Sequence, residues 1–337
     1  MPSIQTVLGP IDAAEVSGVL HHEHVLSLSP GPWLTGGSPD FDAQQIQLAV
    51  QALRPLLGQG INTVVDLSPY GVVGRSDSGS NVTLLQEISR QAGIHIVAGS
   101  AVYLEAMSPC WTQKADLAAI TERFIADGST GIGDTTVVAG IFGEQATGLN
   151  EITRHEEKCL RAAARAQLAT GRSMTTHTTH GSMALEQIDI LRQEGVDLGR
   201  VLIGHMDTHH NLEYVREVLT HGVSVGFDTI GKQNWDFFLG PPLEPRSDGP
   251  FIKNAYHQSD LLRASWLVDL LADGFEDHIL LAQDLTGAEV YLNPDTHGQW
   301  GYGYLSGPFC ALLSTVGVTD DQIQKMMHAN PVRLLSC

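Results

Sequence analysis

The 337-residue chain is poor in positive charge: 19 Lys and Arg stand against 38 Asp and Glu, a formal net charge of -19. A surface of that sign repels phosphate backbones and anionic lipid headgroups, so nucleic acid and membrane surfaces are excluded as partners and a small-molecule substrate is expected. Cysteine is scarce as well. Cys110, Cys159, Cys310 and Cys337 lie far apart with no CxxC pair, which speaks against a zinc knuckle or a secreted disulfide framework and reads as reduced thiols. No apolar run reaches the length of a membrane span, and the N-terminus has no basic stretch followed by an apolar one; the expectation is a soluble cytoplasmic protein. A chain this long can bury a large core without staples, and a single domain over 1–337 is expected.

What the chain has instead is histidine in a telling place. The run Gly18-Val-Leu-His-His-Glu-His-Val25 is apolar except for three imidazoles and a carboxylate. In a strand successive side chains alternate faces, so His22 and His24 project the same way and can share one metal ion. Alone the pair is only moderately specific, because two histidines at this spacing also occur on solvated strands.

The rest of the chain supplies the context. Short apolar or β-branched runs recur at 18–26, 61–67, 94–103, 137–144, 173–178, 200–205, 222–228 and 278–284. Helical spacing fills most of the intervals, at 42–57, 81–92, 116–125, 151–170, 184–194, 212–220 and 259–272. Asn150 is the expected cap of the 151–170 helix, and Gly171 its left-handed stop. Strand and helix in alternation imply parallel pairing, and eight such units fit an α/β fold of the (β/α)8 TIM-barrel type. A doubly wound sheet is the alternative, disfavoured because no glycine-rich phosphate turn follows the first strand.

On this reading polar residues collect at the carboxyl ends of the strands: His22 and His24, Tyr103, Glu144, His177, His205 and Asp284. In a barrel those ends meet at one mouth. A lone histidine at a strand end is more often a hydrogen-bonded core residue, but joint placement reverses that weighting. Asp284 and Glu144 each close an apolar strand, where an unpaired carboxylate is costly unless a cation neutralises it. Four imidazoles and two carboxylates exceed the needs of one tetrahedral site. They point to two divalent ions, with Glu144 bridging, His22, His24 and Asp284 on one ion, and His177 and His205 on the other. Nitrogen-rich, thiolate-free ligation suits Zn²⁺, with Mn²⁺, Co²⁺ and Fe²⁺ as alternatives.

Taken together, Ile4-Gln-Thr-Val-Leu-Gly-Pro-Ile-Asp12 followed by His22-Glu-His24, then Ala162-Ala-Ala-Arg-Ala166, Thr175-Thr-His-Thr178, Ile203-Gly-His205, Gln283-Asp284 and Asn330-Pro331, resemble the phosphotriesterase family of the amidohydrolase superfamily, in order and over nearly the whole chain. The resemblance implies a (β/α)8 barrel with a binuclear metal centre, often in a homodimer. It also shows a departure. Where phosphotriesterases and acyl-homoserine lactonases carry a carboxylated lysine as bridge, this chain has Glu144, like the phosphotriesterase-related subgroup. Thr208 and Thr229 fall near positions where the prototype has an aspartate and a histidine assisting proton release.

The expected chemistry is hydrolysis, with a bridging hydroxide attacking a carbonyl carbon or phosphorus. Asp284 is expected to serve as both ligand and base, and Tyr103 to orient the hydroxide or substrate, as the similar tyrosine of family lactonases implies. The segment 229–258 reads as a binding loop or lid: it holds Trp235, Lys232, Arg246 and Lys253, and Trp300, Tyr302 and Tyr304 are expected to complete an aromatic wall. Three functions are weighed: a carboxylic ester, lactone or amide hydrolase, with lactonase foremost; a phosphotriester hydrolase; and a metal- or ligand-binding barrel without turnover.

Overall fold

Each of the eight apolar runs meets a barrel strand, buried along nearly its whole length as parallel strands covered on both faces require, and only the strand of the 137–144 run, which spans 141–147, continues past its expected end. The computed structural model describes residues 2–27, 39–232, 258–286 and 301–337. A short antiparallel hairpin, β1 (Ser3–Thr6) and β2 (Gly9–Asp12), comes first. The barrel strands follow: β3 (Val19–Glu23), β4 (Thr63–Asp66), β5 (His95–Ala98), β6 (Ile141–Thr147), β7 (Ser173–Thr178), β8 (Val201–Ile203), β9 (Ser224–Phe227) and β10 (Ile279–Leu281). Their order is β3-β4-β5 in one run and β6-β7-β8-β9-β10 in the other, all parallel. A parallel bridge from Gly99 to Ile141 joins the runs. Asp284 N donates to His22 O at 3.0 Å and His24 N to Leu285 O at 3.1 Å, which closes the circle. The architecture is a (β/α)8 barrel.

Helices α1 (Pro39–Leu53), α2 (Thr83–Ala92), α3 (Cys110–Lys114), α4 (Leu117–Ser129), α5 (Arg154–Thr170), α6 (Ala184–Glu194), α7 (Leu212–Thr220) and α8 (Asp260–Ala272) lie between the strands. Helix α5 shows how locally they are specified. Thr153 and Glu156 form a reciprocal capping box at its start, and Gly171 stops it at φ 72°. The cap is therefore Thr153 and not Asn150, which itself sits at φ 55° four residues before the first residue of the helix. No helix among the described residues is long and apolar enough to cross a membrane.

The barrel interior holds Val19, Val65, Val97, Ile141, Leu202 and Leu280, and Ile4, Ala13, Val16, Leu334 and Leu335 extend the same apolar cluster. Hydrogen bonds fix where this extension sits. Ser173 at the start of β7 bonds to Leu334 O, and Asn330 Nδ2 donates to Ile279 O at the start of β10 at 2.8 Å. The hairpin and the C-terminal helix Asn330–Leu335 thus plug the end from which the strands set out. The opposite end, where the strands finish, is left for chemistry.

Candidate metal centre

A regular pleat would not bring the candidate side chains together, and two strands depart from it. Val19 faces the barrel interior, so unbroken alternation along β3 would send His21 and Glu23 inward after it. Instead the β3–β4 register shifts between Leu20 and Glu23, and His22 and His24 turn to the centre. Strand β6 repeats the device. Ile141 faces inward, the β6–β7 register shifts between Phe142 and Gln145, and Glu144 takes the inward place that alternation would give Gly143. Gly143 has no room for a side chain, because a Cβ there would lie 2.0 Å from Thr175 Cγ2. Glu144 therefore lies within its strand, not at its end.

His205 and Asp284 come just past their strands in left-handed backbone, at φ 58° and 51°. That conformation costs a non-glycine residue about 1–3 kcal/mol and persists where neighbours over-determine it. Asp228 does so at His205: its Oδ1 accepts from the His205 backbone N at 2.8 Å and from Nδ1 at 2.9 Å.

Glu144 is the hub. Its Oε2 lies 3.5 Å from His22 Nε2, 3.2 Å from His177 Nδ1 and 3.3 Å from His205 Nε2, and its Oε1 lies 3.4 Å from His24 Nε2. Asp284 Oδ1 stands 2.9 Å from His24 Nε2 and 3.6 Å from His22 Nε2. Of the three compact donor groups among the described residues, His22–His24–Glu144 and Glu144–His177–His205 share the one carboxylate, and the third is His22–His205–Asp228. All six side chains named from the sequence meet here.

The donor set fits metal on a specific observation. His22 is wholly buried, its Nδ1 donates to Asp228 Oδ2 at 3.0 Å, and its Nε2 has no hydrogen-bond partner while aimed at the centre. Electrostatics agree. Burial works against every charge in the cluster, yet facing imidazoles hold the Glu144 and Asp228 carboxyls well below the usual carboxylate range. In return, against the same burial, Glu144 and Asp228 raise His22 to about 10, and Asp284 and Glu144 raise His24 to about 9. The centre demands positive charge, which divalent cations would supply in place of protons.

Tyr103 lies five residues beyond the end of β5 and not at the strand end, but its Oη reaches within 3.3 Å of His177 Nδ1. It lines a cavity of about 640 Å³ at the strand ends together with His24, Glu144, His177, His205 and Asp284. Thr208 and Thr229 line it too, with hydroxyls donating to His205 O at 2.6 Å and Asp207 Oδ2 at 2.6 Å. Trp235, Arg246, Lys253 and Trp300 lie outside the described residues. Tyr302 and Tyr304 do not build the expected wall: Tyr302 is buried, Tyr304 Oη donates to Asp260 Oδ2 at 2.7 Å, and neither lines the cavity.

Two neighbours of the centre carry roles that the sequence does not assign them. Asp228 anchors two of the imidazoles, and its signal was present: it closes the apolar strand Ser224-Val-Gly-Phe227 just as Asp284 closes its own. Lys232 places Nζ 2.7 Å from Asp284 Oδ2; before the fold is known nothing distinguishes it from the other cations of its segment.

The model of the phosphotriesterase family matches residues 2–335. The phosphotriesterase homology protein of Escherichia coli (strain K12) is 29% identical over 314 residues, 93% of this chain and 95% of its own. The N-acetyltaurine hydrolase of Dictyostelium discoideum is 27% identical over 299 residues, 88% of this chain and 75% of its own. A solved structure described as molecular engineering of organophosphate hydrolysis activity from a weak promiscuous lactonase template superposes with a TM-score of 0.83 at 30% identity, covering 99% of each chain.

Proposed function

The chain belongs to the phosphotriesterase family and is a metal-dependent hydrolase, and from that premise we propose that its reaction is hydrolysis of a carboxylic ester, lactone or amide, a lactone foremost, at a pair of Zn²⁺ ions held by His22, His24, Glu144, His177, His205 and Asp284. The observation that carries the proposal is the Glu144 carboxylate set between two pairs of imidazoles, with Asp284 on the side that opens to the cavity. Membership sets aside the barrel without turnover.

Bound divalent ions would lower the pKa of a water and polarise the acyl oxygen of a substrate. The residues do the rest. Asp228 holds the rings of His22 and His205 through their Nδ1 atoms, so that each presents Nε2 to the centre in a fixed tautomer. Asp284 is the proposed general base: burial opposes its charge, but Lys232 and His24 hold its carboxyl well below the usual range, so it meets the attacking water ionised. Lys232 keeps Oδ2 occupied and leaves Oδ1 toward the centre, the atom on which the proton would arrive. Thr229 is an unsuitable onward carrier, because its hydroxyl is held by Asp207 and also accepts from Arg263 Nη2 at 2.8 Å. Tyr103, which lines the cavity with its Oη 3.3 Å from His177 Nδ1, is the proposed group that orients the substrate. The resemblance to an N-acetyltaurine hydrolase supports the amide branch. A second reading, phosphotriester hydrolysis, is favoured by the likeness to a structure engineered for organophosphate hydrolysis.

The test is a panel of esters, lactones, amides and phosphotriesters with metal-loaded wild type and Asp284→Asn. Lactone turnover by wild type, falling by about 10²–10⁴ in the variant when both are assayed at saturating zinc, is expected for a lost general base. Unchanged turnover in the variant overturns the role of Asp284, and turnover confined to phosphotriesters overturns the choice of substrate.

A further inference from the structure

Glu23 stands between the two histidines of the first strand and takes no part in the chemistry above. It is wholly buried, and among the described residues it forms no ion pair with Lys or Arg. A carboxylate in that setting is costly unless donors compensate it. Both of its donors come from one place. Oε1 accepts from Gln283 N at 3.1 Å and Oε2 from Leu285 N at 2.8 Å, the two amides that flank Asp284. The Asp284 amide between them donates to His22 O at 3.0 Å, and His24 N returns a bond to Leu285 O at 3.1 Å. Three consecutive amides are thus tied to residues 22 and 23, at the seam between the first and last barrel strands.

We propose that Glu23 is a positioning residue for Asp284, clamping the peptide on either side of it; this rests on the reading of Asp284 as metal ligand and base. The physical need is visible in the backbone. Asp284 sits at φ 51°, a conformation that a non-glycine residue leaves readily unless held. Relaxation there would swing the carboxylate away from His24 Nε2, 2.9 Å distant. The register shift in β3 that turns His22 and His24 inward leaves Glu23 facing the seam, so one irregularity presents ligands on one side and the clamp on the other.

Glu23→Gln is isosteric but turns an NH₂ toward one of the two backbone N–H groups, so it loses one arm of the clamp. Zinc affinity is measured by chelator competition for wild type, Glu23→Gln, Asp284→Asn and the double variant, with thermal melting to confirm folding. Glu23→Gln should weaken zinc binding roughly 10–100-fold, the range for partners that orient ligands. The double variant should bind no more weakly than Asp284→Asn alone, because both changes act through one carboxylate. With a lactone substrate, kcat should fall while KM holds. Unchanged affinity in Glu23→Gln, or losses that multiply in the double variant, overturns the proposal and leaves Asp284 as ligand untouched. No effect of Asp284→Asn overturns both. Amide exchange at Gln283 and Leu285 in wild type needs no variant: slow exchange is expected, and exchange as fast as an exposed loop contradicts the clamp.

Discussion

Asp228 touches His205 twice with a single oxygen, accepting from its backbone N at 2.8 Å and its ring Nδ1 at 2.9 Å. Its other oxygen takes the Nδ1–H of His22 at 3.0 Å, so one carboxylate sets two rings and one strained backbone. Asp228→Asn replaces one acceptor with a donor facing an imidazole N–H. Zinc affinity measured by competition is expected to drop about 10–100-fold. Affinity equal to wild type would show that the rings hold their orientation without it.

Glu144→Gln removes the only charge common to both donor groups. The loss should exceed that of Asp228→Asn, and it should fall on both ions, because each group keeps its imidazoles but not the anion between them. Metal analysis after dialysis is expected to give fewer than two zinc ions per chain in the variant, and two in wild type. Two tightly held ions in the variant would contradict a bridging role.

His21 supplies a pH test apart from catalysis. Its Nδ1 meets Leu281 O at 3.0 Å, and burial outweighs the attraction of Asp228 and pulls its pKa down to about 4. The sign follows from linkage. Below an unfolded pKa of about 6.5 the unfolded chain takes up a proton that the folded one refuses, so stability falls as pH drops from there toward 4. At about 1.4 kcal/mol per pH unit the effect approaches 3 kcal/mol. Urea unfolding of metal-free wild type and His21→Phe at several pH values should show wild type losing roughly 2–3 kcal/mol more than the variant on acidification. Parallel pH curves would exclude His21 as the source.

Gly143 is required by space. Alanine there puts a Cβ 2.0 Å from Thr175 Cγ2 and 2.8 Å from Thr175 O, whereas Gly58 has nothing within 4 Å of an added Cβ. Gly143→Ala should destabilise by about 1–3 kcal/mol or more and displace Glu144, while Gly58→Ala stays near neutral. Thermal melting checks the pair, and equal melting temperatures would contradict the close approach.

Much of this was legible in the residues. Seven of the eight barrel strands lie within the apolar runs, and β6 (Ile141–Thr147) begins inside its own and continues three residues past it, because parallel strands buried on both faces are largely apolar. Six polar residues interrupting those runs near their ends marked the centre. What could not be read depends on partners distant in sequence. The register shifts beside His22 and Glu144 arise from pairing with β4 and β7, so the inward turn of Glu144 and the seam-facing turn of Glu23 leave no local trace. The hairpin Ser3–Asp12 shows in the sequence only through the family resemblance, since strands of four residues carry too short a pattern of their own. The expected cap Asn150 gives way to Thr153, which with Glu156 spells a capping box in the sequence.

The central claim is that Glu144 joins two metal sites. Diffraction from zinc-loaded crystals on either side of the zinc absorption edge tests it most directly. Two anomalous peaks are predicted, one against His22, His24 and Asp284 and one against His177 and His205, with the Glu144 carboxylate between them. A single peak away from Glu144, or none among these six side chains, would contradict the account.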